Sequence, residues 1–111
     1  MKVTVTGQQS REEAFGVITT IFEEARRAGS TRVLVDARDV SNRLAPSDIY
    51  SIGERLADVF GSTLKVVLVY RVGFIDGFGE TVAVNRGASF TVRHNEKEAL
   101  DWLLGAEAEP T

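Results

Sequence analysis

The chain of 111 residues contains no cysteine and only one histidine, His94. The absence of cysteine excludes disulfide scaffolds, thiol redox chemistry and thiolate metal sites. Catalysis through His94 would require a nucleophile or an orienting carboxylate close to it, and the sequence reveals neither. An exposed position at the end of a strand is the simpler interpretation of this histidine.

Long apolar runs and an excess of basic charge are also missing. No segment approaches the roughly 18 apolar residues of a membrane span, and the N-terminal MKVTVTGQQS lacks the apolar centre of a signal peptide. The net charge is −3 and the arginines are spread along the chain, whereas nucleic-acid binding requires a clustered basic surface. We therefore expect a cytoplasmic protein with no membrane span and no nucleic-acid partner.

The length and composition are those of one compact domain. A hydrophobic content of 43% in 111 residues supplies a single core and leaves no room for a second. We expect residues 1–105 to form this domain. Residues 106–111, with the sequence AEAEPT, are expected to form a flexible tail.

What the chain does contain is a fourfold alternation of short β-branched runs with amphipathic helical stretches. The runs are Val3 to Thr6, Arg32 to Asp36, Lys65 to Tyr70, and Ser89 to Arg93. Such alternation predicts an α/β fold with parallel strands joined by right-handed crossovers. The prediction is a single-wound, four-stranded, mainly parallel sheet in the order 1-2-3-4, with helices predominantly on one face.

Strand composition distinguishes the centre of this sheet from its edges. The segment Val66 to Val69 is apolar on both faces, whereas the first and last runs alternate apolar and polar residues and are therefore predicted at the edges. With every helix on the same side, the opposite sheet face would stay partly exposed. It would carry Thr4, Thr6, Leu34, Ser89 and Thr91, or the neighbouring residues if the register is shifted by one. An exposed face and open edges predict a homodimer.

Capping signals mark the helix ends. Ser10 with Glu13 is a capping-box pattern at the start of the first helix, and Asn95 with Glu98 caps the fourth. Near the start of the second helix, Ser47 is the hydroxyl expected to accept free backbone N–H groups. On the fourth helix, the residues predicted to face inward are Ala99, Leu100 and Leu103.

Three segments together resemble the SpoIIAA-like proteins, relatives of the STAS domains that include bacterial anti-sigma-factor antagonists. They are RVLVDARDVSNRLAPSDI, FIDGFGETVAVNRGASFTV and EKEALDWLL, and the resemblance covers roughly residues 3 to 104. It implies a single-wound β/α superhelix in a cytoplasmic bacterial protein. It also implies a non-enzymatic regulatory or protein-interaction role without a cofactor. One branch of the family is compared with the lipid-binding Sec14 fold, which implies an apolar small molecule or lipid as the alternative ligand.

The chain departs from the family pattern in two places. Family members usually begin with a strand hairpin, whereas one strand precedes Ser10 here. Phosphorylatable antagonists carry Asp-Ser-Ser-Gly or Asp-Ser-Thr-Gly at the start of the second helix, whereas this chain reads Leu44-Ala45-Pro46-Ser47-Asp48. Ser47 is the nearest hydroxyl and the candidate for modification. Because the glycine is missing, we predict a structural role for Ser47.

Polar residues gather where the predicted strands end. Ligands of open parallel sheets bind outside the carboxyl ends of the strands, and the helix N-terminus after the second strand favours anions. The residues predicted to bind there are Arg38, Asp39, Ser41, Asn42, Arg43, Ser47, Asp48, Arg71, Phe74 and Asp76. The alternative is an ordinary polar loop with capping residues.

Three aspartates after the strands raise the question of a magnesium site. Asp36, Asp39 and Asp76 have the hard oxygen ligands that suit this ion. A receiver domain also needs a lysine after the third strand, and Lys65 lies at the beginning of that strand instead. We therefore predict no metal, and interpret the aspartates as caps and salt-bridge partners.

The connection after the third strand is rich in glycine and aromatic residues. Gly73, Gly77 and Gly79 match neither the dinucleotide-binding spacing nor a P-loop, so they are interpreted as flexible turn residues. Phe74 and Phe78 either pack inward under the loop or present an apolar patch to a partner or lipid. The sequence leaves both alternatives open.

Overall fold

The computed structural model describes residues 1–71 and 78–105. Strands and helices alternate as β1 (Lys2–Gly7), α1 (Arg11–Ala28), β2 (Arg32–Val40), α2 (Pro46–Phe60), β3 (Lys65–Val69), α3 (Phe78–Asn85), β4 (Ser89–Arg93) and α4 (Glu96–Leu103). The four strands pair in parallel in the order β1-β2-β3-β4. The predicted α/β class, strand order and parallel pairing are confirmed.

Strand β2 is longer than the sequence predicts, because it continues past Asp36 to Val40. Its pairing with β1 shifts register between Thr4 and Thr6, and Thr6 then lies opposite Asp39. Such an irregularity bends a strand and increases its local twist, and here the two strands pair again beyond it. Asp39 and its neighbour Arg38, which were expected in the loop, therefore lie in a strand.

The capping box of α1 is confirmed. The Ser10 Oγ accepts the main-chain N–H of Glu13 at 3.1 Å, and the Glu13 Oε1 accepts that of Ser10 at 2.9 Å. Asn95 caps α4 as predicted, since its Oδ1 accepts the N–H of Glu98 at 2.8 Å. These caps are local in sequence, which is why the sequence alone identifies them.

The expected cap of α2 is wrong. Ala45 occupies the cap position with extended backbone, no side chain caps the helix, and Pro46 begins it. Proline disfavours helical backbone in the residue before it and is itself suited to the first helical position. The helix boundary therefore falls at Ala45, and Ser47 lies inside the first turn, exposed to solvent.

Ser10→Ala and Ser47→Ala should consequently differ in their effect on stability. Loss of the Ser10 cap is expected to lower the free energy of unfolding by about 1 kcal/mol. Ser47→Ala removes no capping bond and should change it by less than about 0.5 kcal/mol. Urea unfolding followed by circular dichroism would measure both, and equal losses would contradict this assignment of the caps.

Helices α1, α2 and α3 cover one face of the sheet, called the inner face below. The buried core on this side contains Ile18, Ile21, Ala25, Val33, Val35, Leu56, Ala57, Phe60, Leu64, Val66, Ala83, Ala88 and Phe90. Burial of this apolar surface is the main stabilising term of the fold. The prediction that helices lie predominantly on one face is confirmed.

Helix α4 lies on the opposite, outer face, so the expectation that every helix shares one side is wrong. Ala99 and Leu103 of α4 pack on Leu34, Val67 and Val69 of the central strands. Much of the predicted exposed face is therefore covered, and Thr91 is only 5% exposed. Leu100 was also predicted to face inward, but it is 39% exposed. Helix α4 contacts the sheet through Ala99 and Leu103 instead.

Lys65 fastens α4 to the beginning of β3. Its Nζ donates to the main-chain oxygen of Trp102 at 2.8 Å and lies 4.6 Å from the centre of the Trp102 ring. The contact combines a charge-assisted hydrogen bond with a cation–π interaction. It holds the half-buried Trp102 beside the sheet.

Each outer strand of the sheet has a single neighbour among the strands that the structure describes. β1 pairs with β2 alone, and β4 pairs with β3 alone. Both edges thus keep backbone groups suited to pairing with another chain. The homodimer stays a prediction.

None of the helices in the described residues is long and apolar enough to cross a membrane.

Candidate functional site

An apolar cavity of about 180 Å³ lies between α1, α2 and the inner face of the sheet. All four strands contribute side chains to its wall, among them Val5, Val35, Leu68 and Val92. Protein interiors rarely contain voids much larger than a water molecule. An apolar cavity of about 150 Å³ is large enough to bind benzene. This space is therefore large enough for a small apolar molecule.

Three small residues lie among the larger apolar residues of the cavity wall. Ala14 of α1, Ala37 of β2 and Gly53 of α2 all line the cavity. None of these three positions carries a side chain larger than a methyl group. Small side chains on facing surfaces leave more space between a helix and a sheet than the larger side chains of a packed core would.

Gln9 and Tyr70 supply the only polar side chains among the described residues of the cavity wall. Gln9 follows β1 and Tyr70 follows β3, so both lie at the carboxyl ends of strands. Burial raises the pKa of Tyr70 above its usual value. Its phenol is therefore protonated and uncharged at neutral pH. The part of the wall formed by the described residues consequently presents no charged side chain to a ligand.

Asn42 ties the two connections beside the cavity together. Its Oδ1 accepts the main-chain N–H of Gln9 at 2.7 Å, and its Nδ2 donates to the main-chain oxygen of Gln9 at 2.9 Å. Asn42 is one of the predicted site residues. The oxygen and the nitrogen of the Asn42 side chain are therefore both hydrogen-bonded to the main chain of Gln9. These two bonds hold the β1–α1 connection against the β2–α2 connection.

A polar depression adjoins the cavity at the N-termini of α1 and α2. It is lined by Gln9, Ser10, Arg11, Glu12, Asn42, Arg43, Leu44, Ala45 and Asp48. Gln9 and Leu44 belong to both the cavity and the depression. The predicted residues Asn42, Arg43 and Asp48 therefore come together here. Two arginines and two carboxylates balance in this lining, so its net charge does not select an anion.

Arg38 lies on the other side of the sheet and is engaged in ion pairs. Its guanidinium donates to both carboxylate oxygens of Asp36, at 2.9 and 2.7 Å. Glu96 of α4 is 3.7 Å away, and its carboxylate also pairs with Lys2 at 3.2 Å. Arg71 donates through Nε to the main-chain oxygen of Arg38 at 2.8 Å. Arg38 and Arg71 therefore do not join the depression as one anion site.

The hydrogen bonds from Arg38 lower the pKa of Asp36 to about 2. A carboxyl whose pKa is lower in the folded protein adds stability above its unfolded pKa, and this contribution is lost as the pH falls through the folded value. Asp36→Asn should therefore cost about 1 kcal/mol at pH 7, a value reduced because the solvent screens the half-exposed Arg38. The difference in the free energy of unfolding between the wild type and Asp36→Asn should shrink as the pH falls from 4 towards about 2.

Urea unfolding at a series of pH values would measure this dependence. Asp39→Asn is the matched control at an exposed neighbouring position, and should cost less than about 0.5 kcal/mol. A cost of Asp36→Asn that stays constant down to pH 3 would contradict the pairing.

The other predicted site residues do not converge on the cavity. Asp39, Ser41 and Ser47 are exposed, and Phe74 and Asp76 lie outside the described residues. Within the described ranges, no group of three or more histidine, cysteine or acidic side chains is arranged to hold a metal ion.

Neither the cavity nor the presence of Gln9 in its wall was predicted from the sequence. The available signal was the set of small residues within apolar helix and strand faces, but the same pattern is typical of tightly packed cores.

No family model, curated protein or solved structure matches the chain. The relationship to the SpoIIAA-like proteins stays a prediction carried by the three sequence segments.

Proposed function

We propose that this domain binds a small apolar molecule between α1, α2 and the inner face of the sheet. The observation that carries the proposal is the apolar cavity of about 180 Å³ at this position. Apolar walls take up apolar groups because their transfer from water is favourable, and a preformed void requires little rearrangement of the protein. Of the ligand classes implied by the family resemblance, this geometry favours the apolar one.

Binding without chemical conversion fits the residues of the wall. Gln9 has an amide that does not titrate, and the raised pKa of Tyr70 keeps its phenol protonated at neutral pH, so it does not act as a base. Neither residue supplies an activated nucleophile. The proposed role is therefore that of a binding module and not of an enzyme.

A regulatory role follows from the position of the ligand. A molecule in the cavity would contact α1 and α2 on one side and all four strands on the other. It would stabilise the folded domain by mass action and fix the spacing of both helices from the sheet. A protein partner that recognises the outer surface of α1 and α2 would then distinguish the occupied from the empty domain.

Toluene is a suitable first probe, because it is apolar and close to benzene in size. With about seven non-hydrogen atoms, it is expected to bind with a dissociation constant on the order of 0.1–1 mM. Titration followed by ¹⁵N chemical shifts would locate the affected residues, and a rise in melting temperature would confirm stabilisation.

Ala37→Leu should block this binding. Ala37 is 4% exposed and lines the cavity, so a leucine side chain would occupy the space that the probe takes. We expect toluene affinity to fall by at least about tenfold. The folded state should be retained, because filling a cavity commonly stabilises a protein.

Ala28→Leu is the matched control, because Ala28 is exposed at the end of α1 and does not line the cavity. This variant should bind toluene as the wild type does. Absence of any shift or stabilisation of the wild type by toluene, or equal binding by folded Ala37→Leu, would overturn the proposal.

A further inference from the structure

Only the nitrogen of the Gln9 side-chain amide makes a hydrogen bond to the described residues. Its Nε2 lies 3.3 Å from the main-chain oxygen of Thr6, to which it donates, and this contact assigns the other amide atom as the oxygen. That Oε1 is buried and accepts no hydrogen bond from the described residues. A buried acceptor without a donor is unfavourable, and a donor that reached it would remove this penalty.

The position of Gln9 determines where such a donor would come from. Gln9 lines both the cavity and the polar depression, together with Leu44. The opposite end of the cavity wall is apolar and is formed by Phe60, Val66 and Phe90. An elongated molecule in this space would have its apolar part among these three residues and its other end beside Gln9.

The electrostatics of this end argue against a charged ligand. Arg11 and Arg43 in the depression are balanced by Glu12 and Asp48. A carboxylate or phosphate would also approach the carbonyl dipole of Gln9 with the wrong sign. A neutral donor satisfies the amide oxygen without carrying a charge into an apolar wall.

We propose that the ligand is a neutral amphipathic molecule of the alcohol or phenol class. Its hydrocarbon part occupies the cavity. The Gln9 Oε1 is buried, so the Gln9 side chain turns on binding and presents this oxygen to the hydroxyl group of the ligand, which donates to it. The volume accommodates roughly six to eight carbon atoms, by comparison with the cavity that holds benzene. This inference rests on the proposed function and adds the chemical class of the ligand.

Phenol and toluene test the inference, because they differ by a hydroxyl in place of a methyl group of nearly the same size. Phenol is better hydrated, so the informative quantity is the ratio of the two dissociation constants in different variants. Gln9→Met keeps the length of the side chain and removes the acceptor. This substitution should raise the dissociation constant of phenol relative to that of toluene by about three- to tenfold. The dissociation constant of toluene itself should change less than about twofold.

Gln8→Met is the matched control at the exposed neighbouring position, and should leave the ratio unchanged. A measurement on the wild type serves if Gln9→Met does not fold. The side-chain amide resonances of Gln9 should then shift much more with phenol than with toluene.

The possible failures are distinguishable. If toluene binds and the ratio and the amide shifts are insensitive to Gln9, the inference is overturned and the proposed function stands. If neither probe binds the wild type, the proposed function and the inference both fail.

Discussion

Phe60→Ala is expected to lower the free energy of unfolding by about 3–5 kcal/mol. Phe60 ends α2, is 2% exposed, and packs in the core against the inner face of the sheet. Its ring also lines the cavity, so truncation would add the volume of the ring to a space of about 180 Å³ that is already empty. The cost of such a truncation rises with the volume of the cavity that remains.

Urea unfolding followed by circular dichroism would measure the loss. Asp58→Ala, at an exposed position of the same helix, is the control and should cost less than about 0.5 kcal/mol. Phe60→Leu should fall between the two. The truncated variant should also accept larger hydrocarbons than toluene. A loss below about 1 kcal/mol would show that the cavity collapses around the missing ring.

Leu103→Ala should cost about 2–4 kcal/mol and loosen α4 from the outer face. Leu103 is 4% exposed and packs on Leu34, Val67 and Val69, which have no other described helix over them. The neighbouring Leu104 is 60% exposed, which makes Leu104→Ala a control with the same chemical change. It should cost less than about 0.5 kcal/mol.

The single tryptophan reports on this contact directly. Trp102 packs beside Leu103 and is held by Lys65, so its fluorescence should shift to longer wavelength in Leu103→Ala and stay unchanged in Leu104→Ala. Equal losses of stability in the two variants would contradict the placement of α4.

The side on which α4 packs shows where prediction from sequence reached its limit. Helices α1, α2 and α3 each connect two parallel strands, and right-handed crossovers in one direction put them on one face. Helix α4 follows the last strand and connects to no further one, so that rule does not govern it. A signal was nevertheless present: Val66 to Val69 is apolar on both faces, which is typical of a strand covered on both sides.

The candidate site was predictable only in part. The concentration of polar residues at the strand ends followed from general rules for parallel sheets, and Asn42, Arg43 and Asp48 do lie together. Arg38 was misassigned, because β2 continues past it and its guanidinium pairs with Asp36 of the same strand and with Glu96 of α4. The cavity is lined by residues of α1, α2 and all four strands, among them Ala37 and Gly53, and the fit of such surfaces to each other is not encoded in any one segment.

The strand order has a consequence for how the chain folds during synthesis. Each strand pairs only with strands next to it in sequence, so every β–α–β unit can dock onto the preceding one as it leaves the ribosome. Helix α4 is the exception, because it returns to β2 and β3 after β4 is complete. Until it emerges, the apolar stripe of Leu34, Val67 and Val69 is bare on a nascent sheet, and this interval is when the chain is most exposed to aggregation and to capture by chaperones.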